Sequence, residues 1–206
     1  MQRNFIKPAA AIFILLLLVS CGTLIKPNVK TGIVQLEKGS YQLDQTHVAV
    51  LFKINHMGLS MFVGRFNKVD ATLEFDPANI AAAKLSAIID VASIDANNPD
   101  LEETLRGSSW LDTEKYPQAF FKTTSVNLLD QNSAVFAGEL TLHGVTAPID
   151  LTVTFNGGAS NMLTGFYTLG FSATSTFNRS TFGVDYLIPA IGDAVAIEVF
   201  AEFQKN

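Results

Sequence analysis

The sequence predicts an all-β domain, an antiparallel sandwich or barrel, on three observations. Apolar residues recur at every second position through most of the chain after residue 40. Turn-forming residues interrupt these runs at short intervals, and a single segment carries helical spacing instead. Alternation places one set of side chains on one face of a strand. Many short runs divided by turns favour an antiparallel sheet that packs or closes on itself.

Taken in chain order, the first element lies outside the sheet. Arg3 and Lys7 precede an apolar block from Pro8 to Val19 that ends on Ser20, the order of a secretory signal over residues 1–20. About a dozen apolar residues fall short of the roughly 20 needed to span hydrocarbon, so this segment is expected to be removed. Cys21, the only cysteine, follows directly. Leu18-Val19-Ser20-Cys21 resembles a bacterial lipobox, which implies cleavage before Cys21 and a diacylglyceryl thioether on its sulfur. Two or more acyl chains, at ~0.8 kcal/mol per buried methylene, hold a protein stably on a bilayer. The mature chain is therefore expected to be membrane-anchored through lipidated Cys21, with no thiol left for disulfides. Gly22 after the cysteine leans toward the outer membrane over the inner. Residues 21–39, with Pro27, Gly32 and Gly39 and little pattern, read as a tether.

Residues 40–206 read as one domain, large enough to bury a sizeable core. Its alternating sets begin with Val48, Val50, Phe52 and Ile54, then Val69, Ala71, Leu73 and Phe75, then Leu85, Ala87, Ile89 and Val91. They resume with Phe136, Gly138, Leu140 and Leu142, and with Ile149, Leu151, Val153 and Phe155. Leu169, Phe171 and Ala173 come next, and Val195 to Phe203 close the series. Turns are expected at Asp76-Pro77, Asp130-Gln131-Asn132, His143-Gly144, Asn156-Gly157-Gly158 and Gly192-Asp193.

The exception is Pro99–Arg106. Asp100 with Glu103 three residues on has capping-box spacing, Leu101 and Leu105 stand one turn apart, and Gly107 offers a stop. The spacing predicts a short helix, followed by a loop with the only tryptophan, Trp110. Leu101, Leu105 and Trp110 either cover a barrel opening or finish the core.

Charge and motifs exclude several functions. The formal net charge is −5, and no lysine or arginine cluster follows the signal, so nucleic acid is not expected as a partner. His47, His56 and His143 are far apart in sequence, and His47 and His56 have opposite parity along one strand, so no metal site is expected. There is no nucleophile-elbow serine and no phosphate-binding glycine loop. No catalytic residue and no cofactor are expected.

Several motifs, in order, resemble the YceI-like family. They are Asp44-x-x-His47-Val48-x-Val50-x-Phe52-x-Ile54-x-His56-x-x-x-Ser60, Val63-Gly64-Arg65-Phe66, Ser93-Ile94-Asp95 and Leu105-Arg106 through Trp110-Leu111-Asp112. Tyr116-Pro117-Gln118-Ala119-Phe120, Gly138 through Thr146-x-Pro148, and Asn178-Arg179-Ser180-x-Phe182-Gly183 complete them, spanning residues 41–203. The resemblance implies an about eight-stranded antiparallel lipocalin-like barrel with one or two short helices. It further implies a long isoprenoid lipid, such as a quinone tail, as partner, a periplasm-facing place in the cell envelope, and a barrel free to form a homodimer as some members do. Thr104 stands where members often carry a histidine, which leaves the mouth less polar, and Thr181 where they often carry an acidic residue, which weakens a pairing with Arg179.

The inward face then supplies the candidate ligand-binding residues: Val50, Phe52, Ile54, Phe75, Ile89, Phe136, Leu140 and Phe171, with Phe66 and Trp110 nearer an opening and His56 as a polar contact. A filled barrel that recruits a protein partner would use the same apolar residues. An enzyme on a lipid-like substrate would need His56, Arg65 and Arg179 to converge.

Overall fold

The computed structural model describes residues 27–162 and 164–206. The signal segment, the lipobox and Cys21 lie outside the described residues. Strands form where alternation is sustained: β1 (Gly39–His56), β2 (Ser60–Phe66), β3 (Val69–Phe75), β4 (Lys84–Asp90), β5 (Ile94–Asp95), β6 (Gln118–Leu128), β7 (Ser133–Leu142), β8 (Val145–Ser160), β9 (Tyr167–Asn178) and β10 (Ile191–Lys205). In space β1, β3, β4, β6, β7, β8, β9 and β10 follow one another, and β10 pairs back onto β1, so the sheet closes as an eight-stranded antiparallel barrel. Closure leaves no open edge in that ring and encloses one interior. β2 runs along the upper half of β1 opposite residues 50–56, while β3 pairs with residues 39–42. The two-residue β5 extends the wall from β2.

Two bulges shift the phase of the inward face. β1 is irregular between Leu43 and Val48, so its inward residues change from Tyr41 and Leu43 to Val50 and Ile54. β6 is irregular between Thr123 and Ser125, which separates buried Ala119 and Phe121 from buried Val126. An extra residue reverses the faces of everything beyond it.

Three local expectations are corrected. Asn156-Gly157-Gly158 is not a turn: β8 continues to Ser160, with a bulge at Asn156 and Gly157 at φ +138°. A side chain at Gly157 would stand 2.8 Å from the Lys30 carbonyl, so the glycine admits the N-terminal segment. Gly192-Asp193 likewise lies within β10. Residues 21–39 are not a free tether along their whole length. Lys30 bridges to Gly158, and the 3-10 turn Ile33–Gln35 buries Ile33, with Leu36 beside it, against the lower core. These two apolar side chains cover what would otherwise be an open barrel end.

The helix, α1 (Pro99–Arg106), is present, but its N-cap is Asn98, whose Oδ1 accepts from Leu101 N at 3.2 Å. Pro99 occupies the first turn, where its missing N–H is harmless, and this sets the cap one residue before it. With the cap at Asn98, Asp100 and Glu103 lie inside the helix and are not its capping box; Glu102 accepts from Ala96 N, and Gly107 ends the helix in an extended conformation.

Candidate ligand cavity

The barrel interior is filled at one end and open at the other. At the closed end Phe155 meets Phe75, Phe136 and Phe171 at ring-centroid distances of 5.7, 6.4 and 5.1 Å, and Phe171 meets Phe203 at 5.6 Å. Tyr41 is buried among them, its hydroxyl donating to Glu37 O at 2.6 Å, and burial pushes its phenol pKa up. Above this floor lies a cavity of about 770 Å³, within the roughly 300–1,000 Å³ typical of ligand sites.

The even-numbered face of β1 contributes Val50, Phe52, Ile54 and His56 to the wall. Phe66, Ile89, Leu140 and Trp110 also line it, with Phe136 and Phe171 at its base. Phe75 does not reach it. The bulge in β1 and the turn Ile33–Gln35 place Phe75 in the packed floor against Tyr41 and Phe155. Leu101, Leu105 and Trp110 face the cavity from α1 and its following loop. Sequence reasoning passed over Phe62, Tyr186, Leu187 and Ile191, which also line it. Phe62 was legible as the alternate neighbour of Phe66 in β2. Tyr186 and Leu187 lie on a loop with no periodicity to reveal them.

Phe52 depends on a glycine opposite. Phe52 pairs with Gly64 across β1 and β2, and a Cβ at Gly64 would collide with the Phe52 ring. The ring lies over that gap, 5.7 Å from Phe66 and 6.2 Å from Phe62.

Polar side chains on the wall are few: His56, Ser60, Thr104, Arg179 and the phenol of Tyr186 among the described residues. Arg179 is 4 % exposed. Its Nε donates to Gly192 O at 2.9 Å, Nη1 to Val184 O at 2.8 Å, and Nη2 to Tyr186 O and Ile191 O at 3.0 Å each. Burial lowers its pKa from the usual value, opposed by Asp193 and Asp185. Trp110 lies across the guanidinium at 5.5 Å and meets Tyr186 edge-on. Arg179 thus fastens the loop between β9 and β10 to the mouth, through carbonyls and not through a carboxylate. Arg65 does not join it. It points outward to Asp95 at 3.4 Å, so His56, Arg65 and Arg179 do not converge.

The other histidines are also apart. His143 and Gly144, at φ 52° and 76°, make the two-residue turn between β7 and β8. His47 is on the outer wall, its Nδ1 2.9 Å from Asp44 Oδ2, and Glu202 lies near enough for all three to present ligand atoms within 4.8 Å. Asp44 there also accepts from Thr46 and Gln204, so the cluster is a hydrogen-bonded ion pair on the surface.

A UPF0312 protein of Pseudomonas savastanoi pv. phaseolicola is 38 % identical over 152 residues, 73 % of this chain and 79 % of its own. A UPF0312 protein of Vibrio cholerae is 36 % identical over 141 residues, 68 % and 74 % of the two chains. Burkholderia cenocepacia BcnA superposes with a TM-score of 0.71 at 26 % identity, covering 78 % of this chain and 98 % of its own. A polyisoprenoid binding domain from Saccharophagus degradans shares the fold at a TM-score of 0.63 and 14 % identity, covering 81 % and 98 %. The family model of the YceI-like domain matches residues 41–203, the whole span from the first residues of β1 to the last turn of the barrel wall in β10. With cavity, closing strands and motifs all inside that span, the chain belongs to the YceI-like family.

Proposed function

We propose that this barrel binds one long apolar lipid of isoprenoid type, such as the tail of a quinone, without making or breaking a bond. The observation that carries the proposal is the apolar cavity of about 770 Å³ above a packed floor. An isoprenoid tail has no hydrogen-bonding groups along its length, so its site needs shape and apolar walls. Burial from water is worth ~0.8 kcal/mol per CH₂, or about 4 kcal/mol per five-carbon unit. Burial from a bilayer is worth almost nothing, because lipid tails are equally apolar. The barrel therefore holds such a lipid firmly against water and exchanges it readily with membrane. The polyisoprenoid binding domain of Saccharophagus degradans, with the same fold, agrees with this reading.

We propose further that Cys21 is the lipid anchor, so that the barrel works at the periplasmic face of an envelope membrane. The chain from Lys30 to Leu36 is packed on the barrel, so the anchor would join it ahead of Lys30.

The test is native mass spectrometry with lipid extraction on residues 22–206, since the closed sheet and its core lie wholly within residues 27–206. A discrete isoprenoid should co-purify or be taken up from detergent. Phe52→Glu places a charge in the wall and should abolish uptake. Ala87→Trp fills the cavity without charge and should do the same if the first variant fails to fold. A barrel that stays empty when offered polyprenyl lipids sinks the proposal.

A further inference from the structure

Two of the segments around the mouth of the cavity carry no charge, while a third, α1, carries Asp100, Glu102, Glu103 and Arg106. Met57–Gly64 makes the tip of the β1–β2 hairpin and most of β2, and Tyr186–Gly192 makes the end of the β9–β10 loop. Met57 N donates to Ala190 O at 2.7 Å, so the two form one structure. On the outside they expose Met57, Leu59, Met61, Val63, Leu187 and Ile188, with Leu59 82 % exposed. On the inside the same segments line the cavity with Ser60, Phe62 and Ile191. Apolar surface is thus continuous from the outer rim to the cavity wall.

The backbone makes the choice of side chains more pointed. Met57 and Gly58, at φ 56° and 71°, are the central residues of a tight hairpin turn, and Leu187 stands at φ 61°. Glycine, asparagine or aspartate adopt this region at least cost. Methionine and leucine there hold apolar side chains in solvent against both backbone preference and hydration.

Among the described residues nothing covers these rim side chains from outside, and the described N-terminal residues lie at the opposite end, where Lys30 bridges to Gly158.

We infer that this rim is a docking surface for a lipid bilayer, through which the hydrocarbon ligand passes between membrane and barrel without crossing water. The inference rests on the lipid-binding reading above. The two uncharged segments suit insertion among acyl chains because they leave no ion to desolvate, while the charged side chains of α1 would stay at the level of the headgroups. Contact at the rim joins the bilayer interior directly to the cavity. Exposed apolar side chains also occur at the closed end, at Val34, Leu129 and Met162, but the packed floor separates them from the cavity.

The experiment uses residues 22–206 and neutral phosphatidylcholine vesicles containing a polyprenyl lipid. Three quantities are read: co-flotation with vesicles, transfer of the lipid into the barrel, and uptake of the same lipid from detergent. The barrel should float, and Leu59→Asp with Met61→Asp should cut flotation and vesicle-to-barrel transfer at least tenfold while leaving detergent uptake intact. Leu129→Asp at the closed end should change none of the three. Wild-type protein that takes lipid from detergent but neither floats nor accepts it from vesicles overturns the inference and leaves the binding function standing. Loss of detergent uptake in the wild type removes the function itself. A concentration-dependent dimer that the rim substitutions dissociate overturns the inference in favour of a second copy. Loss of flotation with Leu129→Asp would overturn it in favour of the closed end.

Discussion

The two ends of this barrel are built from the same kinds of residue and behave differently. At the closed end Phe75, Phe136, Phe155 and Phe203 pack ring to ring, with Tyr41, Leu169 and the N-terminal Ile33 and Leu36 filling what remains. At the open end Phe52, Phe62 and Phe66 lie against one another along one wall and face empty volume. Inward orientation is common to both. Whether an inward ring is packed or lines a cavity depends on what comes from across the barrel. At the closed end two chain segments, Ile33–Gln35 and Ile80–Ala82, turn inward as lids. At the open end α1 and the β9–β10 loop stand around the opening instead.

The largest expected difference between the ends is in stability. Phe155 is 2 % exposed and meets three other rings, so Phe155→Ala should cost about 3–5 kcal/mol. Phe52→Ala removes a ring that already borders open space and should cost less than about 2 kcal/mol. Urea unfolding of both variants compares them directly. Equal losses would mean that the upper interior is packed as tightly as the floor.

The open end is held by a polar device, and the next effect concerns it. Arg179 satisfies four carbonyls around the β9–β10 loop. Arg179→Lys keeps the charge but not the planar fork that reaches four acceptors. Each buried acceptor left without a donor costs about 1–3 kcal/mol unless the loop opens to water. The expected result is a loss of about 2–4 kcal/mol together with fast hydrogen exchange confined to residues 183–192. Trp110 fluorescence should change as its stacking partner leaves. A variant with wild-type exchange in that loop would show that the mouth is held otherwise.

Gly64 offers a smaller and sharper change. Gly64→Ala drives a methyl group into the Phe52 ring, which must swing toward the cavity or push the β1–β2 hairpin outward. Overpacking of this kind costs about 1–3 kcal/mol. Lipid uptake should fall, and Gly64→Ala combined with Phe52→Leu should restore both stability and uptake. Absence of that rescue would detach Gly64 from the shape of the cavity.

The sequence made much of this legible, and the reasons for its failures are physical. Alternation identified β3, β4, β7 and β9 because they contain no bulge in their inward runs. β6 was missed because the bulge between Thr123 and Ser125 moves its buried residues from odd to even positions, so Ala119, Phe121 and Val126 show no single period. β8 was cut short because Gly157-Gly158 reads as a turn, whereas the glycines admit Lys30 and Leu36. Candidate wall residues followed from parity, and Phe75 was misplaced because parity carries no information about height along the barrel. The rim escaped notice for a different reason: Met57, Leu59 and Leu187 lie at turns, where apolar residues break the usual rule and no periodicity marks them.

The last effect lies on the outer wall, away from both ends, and serves as the control for the comparison. The Asp44 carboxyl is held down at about 2, first by hydrogen bonds from Thr46 and then from His47, against some opposing desolvation. His47 is raised above 6.5 by its hydrogen bond and charge interaction with Asp44, with Glu202 adding to it. Asp44, lowered from 3.8, contributes stability that is present above its unfolded value and is lost as pH falls through about 2. His47, raised in the fold, contributes stability that is fully present below 6.5 and is lost as pH rises through its folded value. The pair therefore contributes most between roughly pH 4 and 6.5. Because His47 is exposed, the contribution stays below about 1 kcal/mol. NMR titration should place His47 above 6.5, and Asp44→Asn should bring it down toward that value. Urea unfolding at pH 5.5 and pH 8.5 should show a larger deficit for the variant at the lower pH, where the His47 part is added to the Thr46 hydrogen bonds, with lipid uptake the same at both. A His47 titration that ignores Asp44→Asn would remove the pairing, and a pH-dependent uptake abolished by the same substitution would tie this outer cluster to the cavity after all.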